Sequence, residues 1–242
     1  MNIYVLRLLV NILMKNRLSY EYKNFSQNLE DGIIHTMVSR LIKKNFTAIE
    51  IGSGNGTENM LRNLIENHGY NGIGHDMLDQ AWFHPNYTHN VKQINLSNIK
   101  DLINSWSTLS PDFFSLDIDS IDFWILKELL SNKFFPSIIC TEYLSFYGPD
   151  LICSVKPNLD NYHIKNCGAS LSAFKTLLSS AGYNFLTVDT RGVNAFFYLP
   201  DRCKDFDDLE KFEFIMCKRH WNVPVPDESN QSVEFDHQIL LG

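Results

Sequence analysis

The chain lacks three features that would each mark a class of protein. It has no cysteine framework: Cys140, Cys153, Cys167, Cys203 and Cys217 are odd in number, and none stands in a C-x-x-C pair. That excludes a disulfide scaffold and a zinc-ribbon pattern, and makes a reducing, cytoplasmic setting the expectation. It has no excess of basic charge, with 21 Lys and Arg against 28 Asp and Glu and a net charge of −7. An extended nucleic-acid footprint needs a basic face, so no nucleic-acid partner is expected. It also has no long apolar run. The start, "MNIYVLRLLVNILMKNRL", is broken by Arg7 and Asn11, is followed by no small-residue cleavage site, and is too short to span a bilayer. Neither a signal peptide nor a transmembrane segment is therefore expected. The helical spacing of its apolar residues predicts an amphipathic helix, packed on the domain or on a second copy in a homodimer, or resting on a membrane surface.

What is present is enough for a large core. Hydrophobic residues make up 44% of the 242 and aromatics 13%. No internal repeat or low-complexity linker divides the chain, so one domain is the default. From residue 46 short apolar runs alternate with helical periodicity, as in an α/β sheet. "FTAIEIG" (46–52) reads as a buried parallel strand, and "TENMLRNLIENHG" (57–69) as a helix ending at Gly69. "YNGIGHDM" and "VKQINL" read as the second and third strands, and "DLINSWSTL" as a helix. "DFFSLDID" (112–119) reads as the fourth strand, "DFWILKELLSN" as a helix and "PSIICTEY" as the fifth strand. A long connection over 144–168 leads into the helix "SLSAFKTLLSSAG". "YNFLTVDTRGVNAFFYL" closes the domain as an antiparallel hairpin turning at Arg191-Gly192. The expected organisation is an N-terminal helical segment (1–45), an α/β domain (46–200) and a peripheral, acid-rich C-terminal extension (201–242). The acids of that extension read as a solvated helical face.

The chemistry begins at "AIEIGSGNGTENM". After a buried strand, Gly52, Gly54 and Gly56 let a ligand approach the backbone closely and present amide donors to it. A dinucleotide fold wants G-x-G-x-x-G, but the third glycine here comes one residue early and Thr57 stands in its place. Glu50, just before the turn, suits a ligand with a cationic ammonium group and repels a pyrophosphate. Asp76, ending the second strand, lies where such folds hold a ribose. Glu50, Gly52, Gly54, Gly56 and Asp76 together fit S-adenosylmethionine (AdoMet) better than NAD.

E-x-G-x-G-x-G after the first strand, then an acid ending the second, resembles the class I AdoMet-dependent methyltransferases. Their fold implies a three-layer, Rossmann-like sheet of seven strands with an antiparallel last strand, which "VNAFFYL" would supply. More narrowly, "SQNLEDGII" (26–34), "PDFFSLDIDSIDFWIL" (111–126), "TEYLSFYGP" (141–149), "GASLSAF" (168–174) and "GVNAFF" (192–197) resemble the FkbM-like bacterial methyltransferases of surface glycans and secondary metabolites. The resemblance spans about residues 20–200. It implies O-methylation of a small glycan-related or phosphorylated acceptor, as in capsule or other surface polysaccharide biosynthesis. Leu29 and Leu144 depart from the pattern, at positions where relatives have a small and a polar residue.

Further residues are candidates for the acceptor side. Asp117 and Asp119 in "DID" fall on one side of a strand by period-2 geometry, at the end where such sheets open their ligand crevice. Asp117 is thus also a candidate donor contact. With Glu142 at the tip of the adjacent strand, the pair would hold Mg²⁺ or Mn²⁺, act directly on the acceptor, or merely accept hydrogen bonds from loop amides. Asp122 is a candidate cap for the helix that follows. "DID" also admits a metal-dependent glycosyltransferase, a reading that leaves "EIGSGNG" unexplained; a non-catalytic AdoMet-fold binding protein is the other alternative. His163 is a candidate general base, with Lys165 beside it, in a loop long enough to cover the acceptor. Ser170 is placed to cap the next helix. Gln27, Glu30 and Asp31 either fold over the donor site, as the resemblance implies, or form a capping box with Ser26 or Asn28. His75 neighbours the ribose position.

Overall fold

The computed structural model describes residues 18–157, 168–220 and 233–235. The expected first helix and the loop residues His163 and Lys165 lie outside them.

A seven-stranded sheet organises the chain, in the order β3-β2-β1-β4-β5-β8-β7. Its strands are β1 (Thr47–Ile51), β2 (Asn71–Asp76), β3 (Tyr87–Val91), β4 (Phe113–Leu116), β5 (Ile138–Glu142), β7 (Asn184–Val188) and β8 (Asn194–Tyr198). β1 to β5 pair in parallel, and β8 runs antiparallel to both β5 and β7. The closing hairpin is the one the sequence predicts. A short β6 (Cys153–Val155) pairs antiparallel with β9 (Val233–Phe235) in a separate ribbon.

The central strands are apolar on both faces, and successive residues serve opposite layers. Ile49, Ile51, Phe114, Leu116, Ile139 and Phe197 face one cluster. Helices α3 (Ile99–Ser105), α4 (Asp122–Ser131) and α5 (Leu171–Ser180) complete that layer. Ala48, Phe113, Ile138, Cys140 and Phe196 face the other, against α1 (Glu30–Ser39) and α2 (Arg62–His68). The result is a three-layer α/β fold. Each fully buried Ile, Leu or Phe contributes roughly 1.5–3 kcal/mol, so this double-faced burial fixes the sheet and with it the strand ends.

Three sequence boundaries move. The third strand is Tyr87–Val91, upstream of "VKQINL". It is an edge strand with only its first residue buried, so its apolar signature is weak. α2 starts at Arg62, since Asn59 Oδ1 accepts the amides of Leu61 and Arg62 and holds the preceding residues as a loop. β4 ends at Leu116, which leaves Asp117 and Asp119 beyond the strand. Gly69 closes α2 at φ 72°, and Ser170 Oγ accepts the Ala173 amide at 3.1 Å as the N-cap of α5.

Residues 203–217 pack closely on the domain. Cys203, Phe206, Ile215 and Cys217 are buried, and Cys203 bridges to Leu41. Tyr143 Oη donates to the Ile215 carbonyl at 2.6 Å, and the Cys217 amide donates to Ser145 Oγ at 2.8 Å. The four described cysteines (140, 153, 203 and 217) are free and buried. No helix among the described residues is long and apolar enough to cross a membrane.

Candidate active site

The glycine turn grows directly out of β1. Gly52 N–H donates to the His75 carbonyl at 2.8 Å, and Asp117 N–H donates to the Ile51 carbonyl at 2.9 Å. The ends of β2, β1 and β4 are thus drawn together. Gly52 sits at φ 87°, and a Cβ there would lie 1.5 Å from the Asp117 carbonyl oxygen. No side chain fits at that point. Gly54, at φ 56°, has nothing within 4 Å of where its Cβ would be. Its bare face is open because it borders a cavity.

That cavity has a volume of about 370 Å³. Gly52, Gly54, Asp76, Asp117 and Asp119 line it, together with residues 77–78, 92–94 and Ile118. Asp76 shapes it by accepting two backbone donors, Gly54 N–H on Oδ2 at 2.8 Å and Leu78 N–H on Oδ1 at 2.9 Å. A carboxylate has about four acceptor positions, so lone pairs remain for a ligand's hydroxyls.

Glu50 stands behind the turn and does not line the cavity. It is 4% exposed, and its Oε1 accepts the Met60 amide at 3.1 Å. Its Oε2 is buried with no partner. Burial, reinforced by the charges of Asp117 and Asp76, pushes its carboxyl up to about 8. Gly56 packs against Tyr87 and Trp82 and belongs to the support of the turn.

Asp117, Asp119 and Glu142 converge, each offering one carboxylate oxygen within 4.8 Å of the others. The route differs from the period-2 reading. Asp119 lies past the strand at φ 57°, a left-handed turn that swings its side chain back toward Asp117. Asp122 does not cap α4. Its carboxylate accepts the amides of Ile118 (2.7 Å) and Ser120 (3.0 Å) and so locks that turn. Burial raises Asp117 to about 8, with help from the charges of Asp122 and Asp119. Burial and the charge of Asp117 likewise hold Glu142 well above the usual carboxylate range.

Two residues at the site carry no clear signal in the sequence. Arg219 places Nη2 at 3.8 Å from Glu142 Oε1, with its side chain 64% exposed. It is brought there by the 203–217 segment, whose acids mask it in any reading of composition. Asn194, at the start of β8, faces Glu142 in the strand register, and its Nδ2 donates to Glu30 Oε1 at 2.9 Å. Glu30 also accepts the Asn28 amide, and Asp31 Oδ2 accepts the amides of residues 24–26. The N-cap of α1 is Leu29 with no side-chain cap, so these acids bind amides of the loop before the helix and do not form the expected capping box on Ser26 or Asn28. Gln27 makes one described contact of note, its carbonyl accepting from Lys23 Nζ.

No protein-family model and no curated protein matches the chain. Solved structures do. It is similar to the small RNA methyltransferase HEN1, at 13% identity and a TM-score of 0.42, over 78% of this chain and 27% of that one. It is similar to the MycE methyltransferase of the mycinamycin biosynthetic pathway, solved in complex with Mg and SAH. There the identity is 15% and the TM-score 0.40, over 63% of this chain and 44% of that one. An O-methyltransferase family protein from Burkholderia thailandensis shares 12% identity at a TM-score of 0.38, over 70% of this chain and 56% of that one. The chain thus spans 27% to 56% of the length of these three.

Proposed function

We propose that this chain is an AdoMet-dependent O-methyltransferase acting on a hydroxyl or phosphate-type oxygen of a small glycan-related or phosphorylated acceptor, in surface polysaccharide biosynthesis. One observation carries the reading: a cavity bordered by the bare face of Gly54, with Asp76, Asp117 and Asp119 in its wall. The glycan-related acceptor rests on the sequence resemblance alone.

When bound, AdoMet supplies a methyl group made electrophilic by its sulfonium. The glycine turn, Asp117 and Asp76 would hold it, through amide donors, close backbone approach and acceptance of hydroxyl protons. Methyl transfer is largely a matter of positioning, and rigid strand ends supply it. The acceptor oxygen would be oriented by Asp117, Asp119 and Glu142. The acceptor's proton would pass to whichever of these carboxylates is ionised. His163 is the other candidate base. The three carboxylates also fit Mg²⁺ or Mn²⁺, which prefer oxygen ligands and would lower the pKa of the acceptor oxygen.

Calorimetric titration of the full chain with AdoMet, its demethylated product AdoHcy and NADH, with and without Mn²⁺, tests the reading. Both sulfur ligands should bind and NADH should not. Failure of both sulfur ligands, with or without metal, overturns it and brings the glycosyltransferase and non-catalytic readings forward.

A further inference from the structure

Of the cavity's residues, the donor reading leaves His75 without a task. β2 alternates at its end. A Cβ on Gly74 would point at Tyr87 Oη and Ser53 Oγ, so His75 turns to the opposite side and lies edge-on to Trp106, with ring centroids 5.3 Å apart. The residue is 3% exposed and borders the cavity beside Asp76. Neither Nδ1 nor Nε2 has a hydrogen-bond partner. Burial first, then the charges of His89 and Lys92, push its pKa down to about 4, so near pH 7 the ring is neutral. A neutral imidazole carries one N–H donor and one lone pair.

An unpaired buried donor or acceptor is costly, and native structures rarely retain both on one ring without a reason. Packing against Trp106 alone would be served as well by leucine. The cavity suggests the reason. Its glycine turn suits the amino-acid part of the donor and Asp76 the ribose, which leaves Leu78, Ile94 and Ile118 among its lining residues for the base. Apolar side chains beside a neutral ring that offers one donor and one lone pair match a purine, which is apolar on its faces and polar at its edges. A neutral ring there also adds no positive charge to oppose a sulfonium.

We infer that His75 is a donor-binding residue whose ring nitrogens complete their hydrogen bonds, directly or through one water, on the adenosine part of the ligand. This rests on the donor reading above. The test compares wild type, His75→Leu and His75→Gln as full-length chains. The probes are AdoHcy and 5′-methylthioadenosine, which share the adenosine and differ in the amino-acid tail. His75→Leu should melt at or above the wild-type temperature without ligand, since two unpaired polar atoms are gone. It should bind both probes about tenfold more weakly, equivalent to about 1.4 kcal/mol. His75→Gln, which keeps a donor and an acceptor, should recover part of that loss. In wild type, AdoHcy should shift the His75 ring-nitrogen resonances. This last readout decides the matter even where a variant fails to fold.

Unchanged ring resonances at saturation, or equal affinity in His75→Leu, overturns the inference while leaving the donor reading intact. A loss confined to AdoHcy also overturns it, by moving the contact to the amino-acid tail. Wild type that binds neither probe overturns the donor reading and this inference with it.

Discussion

Gly52 and Gly54 stand two residues apart in one turn, yet the structure gives them opposite tasks, and alanine should separate them. At Gly52 a methyl would sit 1.5 Å from the Asp117 carbonyl oxygen, at φ 87°. Ordinary contact needs at least twice that distance, so β1 and β4 must part. The left-handed backbone adds about 1–2 kcal/mol for a residue with a Cβ. Parting the strands puts at risk the 2.9 Å bond from Asp117 N–H to Ile51 and the 2.8 Å bond from Gly52 N–H to His75. Each buried group left unpaired costs about 1–3 kcal/mol. The total for Gly52→Ala is roughly 3–8 kcal/mol. At about 2–4 °C per kcal/mol for a chain of this size, thermal unfolding should fall by about 6 °C or more.

At Gly54 the methyl would meet nothing within 4 Å. Gly54→Ala therefore carries only the backbone strain, about 1–2 kcal/mol, or roughly 2–8 °C. Its methyl would occupy the face that borders the cavity, so AdoHcy affinity should fall about tenfold, about 1.4 kcal/mol. Thermal melts and calorimetry on both variants read the two effects independently. Melting temperatures that fall equally would refute the packing argument at Gly52. Wild-type AdoHcy affinity in Gly54→Ala would refute the assignment of the turn to the donor.

The remaining predictions use other parts of the same architecture. Glu50 is raised from 4.5 to about 8 in the folded chain, so its contribution to stability is full below pH 4.5 and lost as pH rises through 8. Glu50→Gln cannot titrate, so its stability relative to wild type should climb by a few kcal/mol across that window. A difference that stays flat with pH in denaturant titrations would show that Glu50 is not held neutral. Arg219→Gln removes a positive charge 3.8 Å from Glu142. Two charges at such a range interact by about 1 kcal/mol in a water-like medium, so Mn²⁺ affinity measured by calorimetry should rise roughly fivefold. Unaltered affinity would place the metal elsewhere. Ser170→Ala removes the acceptor for the Ala173 and Cys153 amides. It should cost about 1 kcal/mol, or 2–4 °C in a thermal melt; no change would mean that the cap is redundant.

How much of this was legible in the sequence depended on whether a residue's role is local. The glycine turn, the Gly69 stop, the Ser170 cap and the closing hairpin follow from backbone rules that act over a few residues, and each is where the sequence puts it. β3 was misplaced because an edge strand buries little, so the apolar run just after it gave the stronger signal. The placement of Arg219 and the pairing of Asn194, a residue of the quoted "GVNAFF", are hidden for a different reason. Their partners, Glu142 and Glu30, are 77 and 164 residues away in the chain, and no periodicity links positions so distant.

The acid cluster lies between these cases. Alternation along "DID" brings Asp117 and Asp119 together only if the strand continues through them, and it stops at Leu116. The two carboxylates meet because Asp119 takes a left-handed conformation, which aspartate tolerates better than most residues. Asp122 holds that conformation by accepting the amides of Ile118 and Ser120. The third acid of the sequence D-I-D-S-I-D thus spends its charge on the loop so that the first two can face Glu142. The arrangement gathers three partly exposed carboxylates, with the exposed Arg219 beside Glu142, and desolvation raises two of them above the usual carboxylate range. Stability alone does not favour that, since each raised carboxyl marks a charge the fold has been made to desolvate. Acids gathered at converging strand ends, with one exposed arginine to balance them, are the pattern of a site whose missing charge arrives with its ligand.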